Sequence, residues 1–347
     1  MSGAIAAAMA AHRRRERRRL GMLGAVALAL ALSLVLDLAS GPALLPPVEV
    51  LRSLLGDPAA DETVSIILWS LRLPMALMAL TVGVALGVSG ATVQTLLDNP
   101  LASPYTLGLA AAAGFGAALA LQQGGWGLPP VLAVPGAAFL FTSLACAVVL
   151  GVGRLRGMAA NTVVLAGIAL LFLFHSLQSL MQFRATPEVG QQIVFWLLGS
   201  LDRATWQNLG ITAAVTAVSL PLLMRHCWAL TALRLGEARA RALGLPVAAL
   251  RLGAVLLVSL MTATAIAFVG TIGFIGLVAP HLARLCIGED QRFLLPMSGL
   301  MGALMLSSAS VLSKVILPGA LVPVGVVTAV LGVPFFFWLI LARRLPG

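Results

Sequence analysis

Residues 20–38 hold a single charged residue, Asp37, and follow directly on six arginines, Arg13, Arg14, Arg15, Arg17, Arg18 and Arg19. A bilayer's hydrocarbon core is crossed by about 20 apolar residues in a helix, so this run is long enough to span it. The competing reading is a cleavable signal with small residues near Ala39 and Ser40, whose apolar core would run only about 7–15 residues. Nine comparable runs follow, at 64–97, 104–121, 130–150, 161–183, 209–223, 248–269, 274–287, 293–313 and 323–341. Another, 189–198, is too short to cross and reads as a partly inserted helix. With 10% charged and 60% hydrophobic residues, the chain lacks the polar side chains needed to coat a soluble fold of 347 residues. Backbone polar groups in lipid must be satisfied within each segment. The expectation is an all-α integral membrane protein of about ten transmembrane helices.

Charge placement tests that map. If the sides alternate from a cytoplasmic N-terminus, 17 of the 22 basic residues fall on the cytoplasmic side. They are the arginine block with Arg154, Arg156, Arg225, Arg234, Arg239, Arg241, Arg251, Arg284, Arg292, Arg343 and Arg344. Only Arg52, Arg72, Arg184, Arg203 and Lys314 fall outside. This is the positive-inside pattern, and a wrong span count would scramble it. It places the chain as a multi-pass protein of the bacterial inner membrane with both termini cytoplasmic. It also accounts for the net charge of +10 without nucleic acid. Cys146, Cys227 and Cys286 lie in or beside apolar runs and give no disulfide framework. The organisation expected is a basic cytoplasmic segment, 1–19, and one polytopic domain, 20–347.

One cytoplasmic segment, 230–245 (LTALRLGEARARALGL), is far more polar than any other loop. Glu237 and Arg241 stand at i and i+4, a spacing that supports a short surface helix. Two readings fit it, a solvated connector or a helix that docks on a cytoplasmic partner.

No catalytic constellation is present. His12, His175, His226 and His281 lack metal-ligand spacing, and the single lysine, Lys314, follows no glycine-rich phosphate loop. The chain therefore has no ATP site, metal site or cofactor of its own, and active transport would need a partner or an ion gradient. Two stretches resist a plain lipid-facing helix. One is 89–108, broken at Asn99-Pro100 and Ser103-Pro104; the other is 270–285, glycine-rich and interrupted by Pro280. Interrupted helices in corresponding halves point to a transport pathway, while glycine also serves close helix packing. On the fifth span His175, Gln178, Ser179 and Gln182 recur at i, i+3, i+4 and i+7, a polar stripe expected to face protein or water. Interhelical hydrogen bonding is the alternative account of that stripe.

An ordered set of short motifs makes the resemblance specific. Arg72-Leu73-Pro74, Ser89-Gly90, Gln94 and Asn99-Pro100-Leu101-Ala102 come first, then Leu165-Ala166-Gly167-Ile168, Trp196 and Gly199-Ser200-Leu201. Leu235-Gly236-Glu237, Ala242-Leu243-Gly244, Gly273-Phe274-Ile275-Gly276-Leu277, Pro280-His281, Arg284, Pro323-Val324-Gly325 and Thr328 complete it. Together these resemble the FecCD family, permeases that import iron–siderophores, haem or cobalamin. The resemblance implies a type II ABC importer architecture, with ATP and Mg bound by a partner ATPase. It further implies a periplasmic or surface-anchored substrate-binding protein and a second permease, identical or paralogous. It places ATPase coupling on Leu235, Gly236, Glu237, Arg241 and Gly244, and binding-protein docking on Arg72 and Lys314. It puts the fifth-span stripe beside the translocation route, and makes Asn99, Pro100, Gly273, Gly276, Pro280 and His281 a structural motif. The expected cargo is a metal chelate, first an iron–siderophore, with haem or cobalamin as the alternative.

The sequence departs from the family where a second outer arginine would follow the proline (Met75) and where an aspartate and a glutamate are common (Ser310 and Leu321). Docking is then expected to lean on Arg72 and Lys314, or on a binding protein with fewer acidic contacts. The other class weighed, a gradient-driven secondary transporter, wants an ionisable residue deep in a span. The acidic residues here map to span ends and loops.

Overall fold

The computed structural model describes residues 2–41, 46–57, 61–317 and 320–342. Arg343 and Arg344, counted above on the cytoplasmic side, lie outside them. Among the described residues every regular element is helical. The first is α1 (Ser2–Ala39), followed by short α2 (Pro47–Leu54). Next, α3 (Glu62–Ile67) passes through a π turn, Leu68–Arg72, into α4 (Leu73–Leu96). The pairs α5 (Leu109–Gln122) and α6 (Pro130–Leu155), then α7 (Ala160–Arg184) and short α8 (Pro187–Leu197), come next. After α9 (Trp206–Arg225) lie two small helices, α10 (Cys227–Leu233) and α11 (Glu237–Ala242). The chain ends in α12 (Val247–Val269), α13 (Ile275–Ile287), α14 (Gln291–Val315) and α15 (Val324–Ala342).

Seven of the helices are long and apolar enough to cross a membrane, and the shorter apolar helices on α5, α13 and α15 bring the total to ten. Each coincides with one of the expected runs to within about five residues, except that α1 begins well before residue 20, and α8 is the short helix expected at 189–198. The arginine block is helical too, the helix running unbroken from Ser2 through it to Ala39. At 14 and 13 residues, α5 and α13 reach only about 20 Å at 1.5 Å per residue. Both are extended by irregular chain, the Pro104–Leu107 turn before α5 and the stretch 270–274 before α13. Such backbone is tolerated at membrane depth only when enclosed by protein.

The enclosing helix is α4, which is buried almost along its whole length. Gly83, Gly87 and Gly90 form one stripe of it at i, i+4 and i+7. A Cβ on Gly83 or Gly87 would strike backbone of α14, and one on Gly90 would fall within the van der Waals radius of Gly276 O on α13. Pro280, lacking an N–H, is the reason that carbonyl has no helical donor. Glycine and proline thus cooperate, the freed carbonyl of one helix lying against the bare backbone of the other. Close approach of this kind is how helices associate where lipid offers no hydrophobic drive.

Candidate coupling and translocation sites

At the end of the bundle that carries the arginine block, α10 packs on α4, α9 and α14, and α11 on α12. Gly236 precedes α11 with φ of +101° and Gly244 follows it with φ of +80°, so both turns demand left-handed backbone that glycine supplies without strain. Within α11 the expected Glu237–Arg241 pair forms. Glu237 has a second partner that the sequence did not flag, Arg251 on α12, at 2.8 Å. The Arg251 side chain is only 5% exposed. Its Nε donates to Leu96 O at 3.1 Å and its Nη1 to Met158 O at 2.9 Å. One guanidinium therefore joins α11 to the end of α4 and to the turn between α6 and α7.

A second junction lies alongside. Arg234, in the turn between α10 and α11, pairs with Asp98 at 2.8 Å and with Glu289 at 3.1 Å. Glu289 also meets Arg284 of α13 at 3.2 Å, and Arg284 donates to Gln94 of α4, which in turn donates to Leu277 O. Gln291 of α14 donates its backbone N–H to Thr231 Oγ1 at 3.1 Å and its side-chain amide to Thr95 Oγ1 at 3.0 Å. The sequence signalled Gln94 and Arg284 only as motif residues; Asp98 carried no signal because its partner Arg234 is 136 residues distant, and Glu289 because Arg234 lies 55 residues away. Asp290 begins α14 and accepts from the Arg292 amide and from the Arg19 and Arg292 guanidinia. Burial alone would raise its carboxyl pKa, but the Arg292 hydrogen bonds and the charges of Arg292 and Arg19 outweigh it and hold the group low. Of the remaining residues expected to couple, Leu235 is exposed, with 58% of its surface open.

The motif residues fall into two places. Asn99 Oδ1 accepts from Leu101 N at 2.9 Å, closing the turn that Pro100 stiffens. Pro100, Leu101, Leu277, Val278 and His281 line one small cavity with Phe335 and Phe336 of α15, bringing the two broken segments together. Gly276 and Pro280 make the close contact with α4 described above. Gly273 has open space around it, while Phe274 next to it holds φ of +66°, a strained value for a residue with a side chain. The stretch beginning at Gly270 is gripped by α8 and α15. Ser200 N donates to Val269 O at 2.8 Å, Thr271 Oγ1 to Leu197 O, and Gly325 N to Gly199 O at 3.3 Å.

The polar stripe of α7 does not act as one face. Gln178 is buried, with its side-chain oxygen against Gly114 of α5, whereas His175 and Ser179 are exposed and Gln182 is half-buried. The buried line of α7 is Val163, Gly167, Leu170, Phe174 and Gln178. A helix with one packed line leaves the remainder, including His175 and Ser179, on the outside of the single chain. Among the described residues no group of three His, Cys, Asp or Glu is placed to hold a metal.

The two cations expected to face a docking partner point inward instead. Arg72 is 5% exposed and donates to Leu38 O at 2.7 Å and Ala39 O at 3.0 Å. Lys314 is 6% exposed and holds Asp37 O at 3.0 Å and Asp37 Oδ1 at 2.7 Å. Both therefore neutralise the carbonyl end of α1, where the helix dipole is negative and the last carbonyls have no helical donor. Ser310, standing where many family members have an aspartate, donates to the same Asp37 Oδ1 at 2.8 Å. Their inward orientation has a physical reason: Asp37, on the first span, supplies the local carboxylate and draws the cations to it.

Comparison with known proteins agrees with this architecture. The family model of the FecCD transport family matches residues 29–342. The vitamin B12 import system permease protein BtuC of Klebsiella pneumoniae is 36% identical over 345 residues, covering 96% of this chain and 97% of that one. A provisionally named ABC transporter permease of Methanocaldococcus jannaschii is 37% identical over 304 residues, 84% of this chain and 86% of that one. Among solved structures, an inward-facing, provisionally assigned metal-chelate type ABC transporter superposes with a TM-score of 0.81 at 30% identity. It covers 93% of this chain and 99% of that one.

Proposed function

The chain belongs to the FecCD transport family, as the membrane-spanning permease of a type II ABC importer, and on that premise we propose that it passes a metal chelate between two permease copies while a separate ATPase drives α11. The observation that carries the coupling assignment is the pair of ion-pair junctions at Arg251 and Arg234. A helix of six residues has little stability alone, and these junctions tie it to α4, α12, α13 and the turn before α14. Motion imposed on α11 is thereby transmitted to the glycine-packed helices around the pathway. The end bearing the arginine block is then the cytoplasmic one, and a loaded binding protein docks at the other.

For the cargo, we propose an iron–siderophore, in keeping with the metal-chelate type transporter this chain superposes on. A second reading, cobalamin, is favoured by the vitamin B12 permeases, which match nearly end to end. In this proposal Arg72 and Lys314 hold the end of α1, and docking charge comes from other outer residues. The test is uptake into proteoliposomes holding the permease with its cognate ATPase and binding protein. ATP should drive accumulation of ferric siderophore over cobalamin. Accumulation by the permease alone under an imposed ion gradient would defeat the importer assignment, and preference for cobalamin would replace the first cargo by the second.

A further inference from the structure

Two adjoining cavities, of about 500 and 720 Å³, open between α6 and α9 at the end remote from the arginine block. They share Val131, Pro135, Asn208, Ala267 and Phe268, so they form one cleft with α12 as its floor. On α9 the cleft is lined from Thr205 to Val215. Ten residues at 1.5 Å each make about 15 Å, which is half of a hydrocarbon core about 30 Å thick. The cleft is thus one leaflet deep.

Its mouth is marked independently. Trp206, lining the top, lies 6.4 Å from Trp69 ring to ring and donates Nε1–H to Trp69 O at 2.9 Å. Tryptophan concentrates at the headgroup level of a membrane. The charged and amide side chains of the lining, Arg203, Gln192, Asn208 and Gln207, gather there. Arg203 donates Nη2–H to Phe195 O at 3.3 Å. Among the described residues it makes no ion pair, although exposed Asp202 lies near enough for its charge to be felt. A cation above an apolar slot of leaflet depth matches an amphiphile with an anionic head.

We propose that this cleft is a phospholipid site. One acyl chain lies between α6 and α9 against α12, and the phosphate is held by Arg203, with Asn208 and Gln207 as amide donors. Lipid is the surrounding medium here, so entry needs no opening of the bundle. The site lies apart from the coupling junctions, and its occupancy would brace two helices that otherwise stand separated.

Gly136 gives a clean test, because it lines the cleft and a Cβ there meets nothing within 4 Å. Gly136→Leu should fill the slot without disturbing the helix. The wild-type chain, Gly136→Leu and Arg203→Gln would be purified in mild detergent and their retained phosphorus measured. Binding of a spin-labelled phosphatidylglycerol would be measured alongside, with diacylglycerol as phosphate-free competitor. The wild type should retain about one phospholipid more per chain than either variant. Arg203→Gln should weaken binding by about tenfold, the loss of one charge-assisted contact, and diacylglycerol should compete poorly. Equal retention by all three proteins would overturn the proposal. Equal competition by diacylglycerol would overturn it too, even if Gly136→Leu failed to fold.

Discussion

Replacing Arg251 by methionine keeps the length of the side chain and removes its charge and all its donors. Leu96 O and Met158 O are then left without the guanidinium, and a buried acceptor left unsatisfied costs about 1–3 kcal/mol. Glu237 loses less, because a third of its side chain is exposed and Arg241 remains beside it. Removing the buried partner should therefore cost about 3–5 kcal/mol in all. Glu237→Gln keeps an acceptor for Arg251 and should cost only about 1–2 kcal/mol. The double variant should be scarcely worse than Arg251→Met alone, because the two residues share one interaction. Melting of the detergent-purified permease gives these differences, and the ATP consumed per molecule imported by the reconstituted complex gives the coupling. Arg251→Met should raise that ratio. Simple additivity of the two single variants, or wild-type melting and coupling in Arg251→Met, would refute the reasoning.

At the opposite end, Lys314→Met should destabilise strongly, by about 3–5 kcal/mol, since it strands the fully buried Asp37; Asp37→Asn combined with it should recover much of the loss in the same melting assay. Gly90→Leu should prevent assembly of α4 against α13, seen as loss of the monodisperse species on size exclusion, because its Cβ has no room beside Gly276 O. Asp290, with its pKa held low in the folded protein, contributes stability that is complete above about pH 5 and is lost as the pH falls through the folded value. Asp290→Asn should therefore be less stable at neutral pH, with the gap to wild type closing in acid; a constant gap would contradict the linkage.

The ten spans were legible because apolar length is set by the bilayer and is written locally. Even the weak cases, α5 and α13, were flagged by the prolines and glycines that shorten them. The division of the α7 stripe into packed and exposed residues was not legible, for a related reason. Helical spacing puts His175, Gln178, Ser179 and Gln182 on a common side, but a side is wide, and only the line through Gln178 packs. Which part of a polar face is covered depends on a neighbour, here Gly114 of α5, and no periodicity reports that.

Charged residues were legible by end of the bundle and not by partner. The count that assigned Arg72, Lys314 and Arg251 to one end or the other depends only on span number. Whether a cation faces solvent depends on a carboxylate or carbonyl brought up by a distant span. Asp37 lies 277 positions from Lys314 and looked like a residue at a helix end. A buried lysine is tolerated only with such a partner, so Lys314, the single lysine in an arginine-rich chain, was the position to question. The same logic joins the two ends of the molecule. Leu96 O and Gln94 fasten the lower end of α4 to Arg251 and Arg284, while Arg72, at its upper end, grips the last carbonyls of α1. Between them α4 meets its neighbours through glycine backbone, with no interlocking side chains along that stripe. A helix held firmly at both ends and smoothly along its length can shift only as a rod. On the proposed coupling role of α11, a displacement entering there is expected at the end of α1, about 200 residues away in sequence and a full membrane thickness away in space.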